Sequence, residues 1–502
     1  MPRISHGETP SLERLAQAQQ GTRQVNRDLK VPFEFAVIQE PSPFGYLFPE
    51  LQTPETLLPT SRQIRDGLVN LGVTMVEPED DSTPDSATPS AYTYFGQFLD
   101  HDITFEAKSD SLANLSDPNL EPLPLEAVAD KLKNGRTPSL DLDSVYYKPA
   151  PRLGSRLGLG VVSPRGNRPP HKDIANDLPR QPPRRDPETD RAALIGDFRN
   201  DENLIIARLH VAFLRAHNAV AVAGRSFDET RKLLRRHYQW IVVKDFLNRI
   251  ADPEIVQNVL NKGNRFFRPG VDQLFMPLEF SVAAYRYGHS MIRSSYNYNL
   301  NFRGPSAATL KDLFSLTAVS GRLGGFDTLP EAWIIEWPNF LDEGTNHARR
   351  IDTRLTKELF ELQAFGKPMP NEARLPVRNL LRGYLLRLPT GQAVARALGV
   401  PVMKPREIEA VAATVSEKQL AAVRACRFSE RTPLWYYVLA EAAHRMSSVL
   451  GPVGSTIVSE VLIGLVRNSK DSILRGRNWT PTLGTMHGRF TLRDLLKLGG
   501  VI

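Results

Sequence analysis

From Leu204 to Gly224 the chain reads LIIARLHVAFLRAHNAVAVAG. Its apolar residues recur at helical spacing and the run stops at a glycine, so the segment is predicted as a long helix. Other segments agree. Ser226 and Glu229 have the spacing of a capping box ahead of DETRKLLRRHYQWIVVKDFLNRI, where each side chain serves the other's backbone donor. Pro277 stands where a helix can begin, before LEFSVAAYRYGHSMIR. Thr432-Pro433 opens LWYYVLAEAAHRMSSVLG, Gly451-Pro452 closes it, and STIVSEVLIGLVRNS follows. Strand patterns are few and short. The fold class expected is mainly α: one large helical unit with long loops, not alternating βαβ units.

A chain of 502 residues is long enough for one large core or for two to three domains. Its 41% hydrophobic and 24% charged content is that of a soluble globular protein. The net charge of +7 is thin over this length. Its densest basic run, around Arg180, Arg184 and Arg185, reads as a solvated loop, so no nucleic-acid partner is expected. Cys426 is the single cysteine, which excludes an intramolecular disulfide and cysteine metal sites. MPRISHGETP lacks the apolar core of a secretory signal, and no run reaches the ~18 apolar residues of a membrane span. Cytoplasmic location is the default, with export by a non-standard route as the alternative, and a monomer is expected. Residues 1–40 read as an extended arm, 41–502 as the catalytic unit, and 78–90 as a polar linker or loop. Residues 163–190, rich in Pro and Arg, read as an irregular excursion. No P-loop, dinucleotide fingerprint, HExxH or GxSxG is present.

Residues 94–106, YFGQFLDHDITFE, place two carboxylates and an imidazole side by side in an apolar setting, which is costly without compensation. On a helix, Gln97, Asp100, His101 and Thr104 share one face. Asp102 points to the side of Phe95 and Phe98. That division suggests a catalytic pocket on one face and a structural cation on the other; a buried His–Asp ion pair is the competing reading. In GDFRNDEN, residues 196–203, Arg199 and Glu202 stand at i, i+3, as a site or as an ordinary surface ion pair. In AYRYGHSMIR, residues 284–293, Arg286 and His289 have the same spacing, and a satisfied core histidine is the alternative. His210 and His217 read as packing or hydrogen-bonding residues.

GQFLDHDIT, GDFRNDE and YRYGHSMIR, in that order, resemble the animal-type haem peroxidases. RTPSLDLDSVYY, residues 136–147, resembles that family's calcium loop, and the likeness continues through RNLLRGYLLRLPTGQA, residues 378–393. The resemblance implies a haem peroxidase fold. It implies reduction of hydrogen peroxide through a ferryl intermediate, and oxidation of halides, pseudohalides or small phenolic donors. His289 would be the axial ligand of the haem iron, His101 the distal base, Arg199 the cation that stabilises developing charge, and Gln97 the distal amide. Asp100 and Glu202 match the carboxylates that the family ester-links to a haem b derivative. Asn203 follows the glutamate, so a methionine sulfonium link is excluded. Arg286 would meet a propionate. Calcium would be held by Asp102, Thr137, the Ser139 carbonyl, Asp141 and Asp143. Aligning LRLPTGQA puts Gln392 where the family's proximal asparagine accepts from the axial histidine.

Two rivals remain. A fatty-acid dioxygenase of the same superfamily uses a tyrosine three residues before the proximal histidine; here that residue is Arg286, and Tyr285 and Tyr287 are expected to point elsewhere on a helix. A non-haem metal hydrolase built on Asp100, His101 and Asp102 is the other.

Overall fold

The computed structural model describes residues 42–78, 83–105, 115–147, 151–163, 175–186, 190–222, 224–270, 273–360, 374–476 and 479–502. The expected arm, 1–40, lies outside them, as do 164–174 and 187–189 of the Pro/Arg-rich stretch. The structure is mainly helical. Its strands are two to four residues long, as in Ser42–Gly45, which pairs antiparallel with Lys133–Asn134 and parallel with Met276–Pro277.

Seven helices position the site. They are α1 (Arg62–Val73), α2 (Ser90–Ile103), α3 (Leu204–Ala221), α4 (Phe227–Trp240), α5 (Leu375–Leu385), α6 (Leu434–His444) and α7 (Pro452–Asn468). α3 is the central one. The Asn203 side chain accepts from Ile206 N–H and starts it. Among the described residues, α3 is the helix that by length and composition could cross a membrane, but 83% of that window is buried within the protein, which marks a core helix. The capping box of Ser226 and Glu229 starts α4 as expected. α1 packs along α5, and Gly72 permits the close approach: a Cβ there would lie 2.8 Å from Val377 Cα.

Three expectations are corrected. The segment after Pro277 is no regular α-helix. It runs as a π turn, Glu279–Ala283, then a 3-10 stretch, Ala284–Met291, with Ala283 at φ −127°. The Glu279 carboxylate, which accepts from Leu47 and Phe48 N–H, anchors its start. The basic run is only in part a solvated loop: Arg185 is exposed and Arg184 half-buried, but Arg180 is not free in solvent. Arg180 is buried between Asp177 and Asp201, and Arg208 of α3 closes on Asp177. Opposite charges buried together satisfy one another. Nor is the 78–90 stretch wholly a free linker: Ser86 and Thr88 are buried, and Asp85 takes Arg293 and Arg349. Residues 79–82 lie outside the described part.

At the corner between α6 and α7, Glu441 is buried and accepts from Val453 N–H at 2.9 Å. Burial pushes its pKa up to about 8. A carboxyl raised above its unfolded value stabilises the fold fully below about pH 4.5, and this contribution is lost as pH rises through about 8. Urea denaturation at pH 5 and pH 8 should therefore show Glu441→Gln gaining stability relative to wild type by about 1–3 kcal/mol over that window. A constant difference between the two proteins would show that the carboxyl ionises normally.

Candidate functional site

α2 carries the face read from the sequence. Gln97, Asp100, His101 and Thr104 all line one cavity, joined there by Arg199, Glu202, Arg286 and His289. His101 is buried, with Nε2 3.5 Å from Glu202 Oε1 and Nδ1 2.9 Å from Asn200 Oδ1. Burial first, and Arg199 second, lower its pKa, which keeps the ring neutral and able to take a proton. Gln97 accepts from Asn203 Nδ2 at 3.1 Å and donates to Glu202. Asp100 accepts from Thr104 Oγ1 at 2.9 Å.

Arg199 sits on the 3-10 turn Phe198–Asp201, and Asp197 caps that turn by accepting from Arg199 N–H. The same carboxylate takes Arg199 Nε at 3.1 Å and Nη2 at 2.7 Å, and Arg136 Nη2 at 2.5 Å. Burial opposes ionisation of Asp197, but Arg136 and Arg199 outweigh it and hold the carboxyl well below its usual range. Arg199 Nη2 also donates to the carbonyls of His101 and Thr104, at 3.0 and 2.7 Å. The cation is thus tied to the helix end that carries His101.

On the other element, His289 Nδ1 lies 3.1 Å from Asn379 Nδ2. Asn379 comes from α5, and its Oδ1 accepts from Arg286 Nη1 at 2.8 Å. This corrects the assignment of Gln392. That side chain is buried in the helix Gly391–Leu398 and does not line the cavity. Its amide is used by Thr432, whose N–H donates to Oε1 at 2.9 Å and whose Oγ1 accepts from Nε2 at 2.7 Å. Tyr285 and Tyr287 also depart from expectation: both line the cavity, on a 3-10 stretch in place of the expected α-helix. Tyr285 Oη donates to the Gly96 carbonyl at 3.1 Å. Arg378 and Arg382 of α5 add to Arg286, so one part of the lining is strongly cationic.

Behind α2, Asp102 is fully buried and accepts from Leu142 and Ser144 N–H at 3.2 and 3.0 Å. Burial and the neighbouring Asp143 push its pKa up to about 7. Asp141, raised in the same way, has its buried Oδ1 without a partner among the described residues. Leu142 takes the left-handed conformation, φ 61°, so that the loop turns back on itself. Thr137 and Ser139 belong to the same loop, with Ser139 N–H donating to the Thr137 carbonyl. Among the described residues no three His, Cys, Asp or Glu side chains close on one point at coordination distance. The three carboxylates are therefore electrostatic neighbours, not a closed cage, and Asp100, His101 and Asp102 form no such cluster either.

The fold is one shared by peroxidases and fatty-acid dioxygenases. Peroxidase A from Dictyostelium discoideum superposes with TM-score 0.57 at 16% identity, over 86% of this chain and 88% of that one. The fatty acid alpha-dioxygenase of Oryza sativa superposes with TM-score 0.54 at 14% identity, over 92% and 77%. The family is set by sequence: the animal haem peroxidase model matches residues 152–463, and the chain belongs to that family. Mouse myeloperoxidase is 24% identical over 320 residues, which are 52% of this chain and 42% of that protein. Peroxidasin homolog pxn-2 of Caenorhabditis elegans is 24% identical over 300 residues, 45% and 22%. The chain thus spans less than half the length of these curated relatives.

The sequence reading passed over Asp197, Asn200 and Asn379. Asp197 and Asn200 lie inside GDFRNDEN, and Asn379 is the second residue of RNLLRGYLLRLPTGQA. A buried capping carboxylate two residues before an arginine was the available signal. Two comparisons check these assignments. Asp197→Asn should lower unfolding stability by about 3–5 kcal/mol in urea titration, because it leaves buried guanidinium charge uncompensated. Asn379→Leu should change the visible spectrum of the haem-loaded protein, whereas Gln392→Leu should lower the melting temperature and leave that spectrum alone; the reverse pattern would reinstate Gln392.

Proposed function

We propose that this chain is a haem peroxidase that reduces hydrogen peroxide and oxidises small anionic or phenolic donors. The observation that carries the reading is one cavity lined by a neutral imidazole, a fixed guanidinium and a second, half-buried imidazole backed by an amide. The residues fit haem. His289 would be the axial ligand; Nδ1 would then carry the proton, and Asn379 would turn Oδ1 to it and give up its bond from Arg286 Nη1. The cationic lining suits two propionates. Burial depresses the pKa of Arg286, Asp100 partly offsets this, and Arg378 adds to it, so carboxylate charge is wanted there. Asp100 and Glu202 stand in the same lining and are the carboxylates for ester links to a haem b derivative.

Bound haem supplies the redox chemistry at the peroxide oxygens. The chain supplies the rest. His101 Nε2 takes the proton from one peroxide oxygen and returns it to the other as that oxygen leaves. Arg199, a permanent cation with Nη1 uncommitted among the described residues, stabilises the charge that develops. Gln97 orients water or anion beside Glu202. A fatty-acid dioxygenase is the second reading, favoured by Tyr285 and Tyr287 in the cavity wall. Arg286, three residues before His289, stands against it. The hydrolase reading has no closed cluster of ligands to rest on among the described residues.

Calcium belongs to the same proposal. Asp102, Asp141 and Asp143, with the Thr137 hydroxyl and the Ser139 carbonyl, are hard oxygen donors from one loop and one helix end. Their crowding and the unpartnered Asp141 Oδ1 favour a cation that neutralises them.

Protein loaded with haem should show a Soret band that shifts on adding hydrogen peroxide, and His101→Ala should slow that shift by about 10²–10⁴-fold. An unshifted band, or lipid oxygenation without peroxide turnover, would remove the peroxidase reading. Chelation should lower the melting temperature by several degrees, with calcium restoring it, and Asp141→Ala should abolish the response. Indifference of the wild type to chelator would remove the calcium site.

A further inference from the structure

Behind the distal histidine lies a second imidazole that the proposed chemistry does not use. His101 Nδ1 is 2.9 Å from Asn200 Oδ1, and Asn200 Nδ2 is 2.9 Å from His210 Nδ1. All three side chains are buried, Asn200 and His210 completely. His210 Nε2 has no partner among the described residues. Its ring packs edge-on against Phe98, at 6.0 Å between centroids. Burial, opposed only by Asp197, lowers its pKa to about 3, so His210 is a neutral ring with one N–H and one lone pair.

An amide between two neutral imidazoles couples their tautomers, because it has one accepting end and one donating end. If Oδ1 faces His101, the His101 proton is on Nδ1 and Nε2 presents a lone pair to the cavity. His210 Nδ1 must then accept, and its proton is on Nε2. If the amide is reversed, His101 Nδ1 accepts and its proton moves to Nε2, next to Glu202 Oε1 at 3.5 Å. A ring in that state has no lone pair on the cavity side. The first arrangement also suits the imidazolium that forms on proton uptake, which needs an acceptor at Nδ1.

We propose that Asn200, oriented by His210, is the positioning residue that sets the tautomer of His101 and so makes it a base. The inference rests on the reading of the cavity as a haem pocket. Neither residue is itself part of the cavity lining, so both act through His101.

Cyanide tests this without turnover. It arrives as HCN and binds ferric haem as the anion, and its proton goes to the distal base. In stopped-flow mixing of potassium cyanide with ferric haem-loaded protein, Asn200→Val should reduce the association rate by about 10²-fold. Asn200→Asp keeps an acceptor at Nδ1 and should remain within about threefold of wild type, a rescue that a packing role would not give. His210→Phe, which keeps the ring volume but removes the amide's second partner, should be slowed about 3–10-fold. Wild-type rates in Asn200→Val, or equal slowing in the Val and Asp variants, would overturn the proposal. If Asn200→Val does not take up haem, His210→Phe decides alone: a wild-type rate overturns it and slowing supports it. Failure of the wild-type protein to bind haem would instead count against the peroxidase reading itself.

Discussion

A single buried carboxylate holds the His101 side of the cavity together. Asp197 is 1% exposed, yet it stays ionised because Arg136 and Arg199 both bond to it. Desolvating one carboxylate and two guanidinium groups is expensive, and the geometry must be close and complete to offset it. Here it is. Asp197 also caps the turn that carries Arg199, and Arg199 Nη2 donates as well to the carbonyls at the end of α2. The placement of His101 therefore depends on a charge cluster that reaches the cavity only through Arg199. A rigid base beside a rigid cation is what proton transfer to a leaving oxygen needs.

The two sides of the cavity are organised differently. The distal residues come from α2 and one short turn, and their polar atoms bond mostly to one another. The other side borrows from α5: Asn379 bridges His289 and Arg286, while Arg378 and Arg382 bring further positive charge. Excess cation on one side suits a dianionic cofactor, just as excess carboxylate behind α2 suits a divalent metal. α2 is thus divided by charge as well as by hydrophobicity. Its cavity face bears the base, and its buried back bears Asp102, held by the backbone of the 142–144 turn.

Much of this was legible in the sequence, for local reasons. Helical spacing alone separated His101 from Asp102, because both faces of one helix follow from a fixed rotation per residue. The cap of α4 and the extent of α3 were equally local. What failed depended on tertiary context. The segment before His289 adopts π and 3-10 geometry, with Glu279 held by Leu47 and Phe48, and Tyr285 and Tyr287 line the cavity there. Gln392 and Asn379 lie on the same quoted stretch, and only the placement of α5 decides between them. Arg180 looked exposed because its partners, Asp177, Asp201 and the network through Arg208, are brought together only by the fold.

The central claim is that His289 ligates haem iron while His101 faces the same cavity unligated. Resonance Raman spectroscopy of the ferrous, haem-loaded protein reads this directly. An iron–histidine stretching band should be present in wild type, persist in His101→Ala and vanish in His289→Ala. A band that survives in His289→Ala, or is lost in His101→Ala with haem still bound, would reverse the assignment of the two sides.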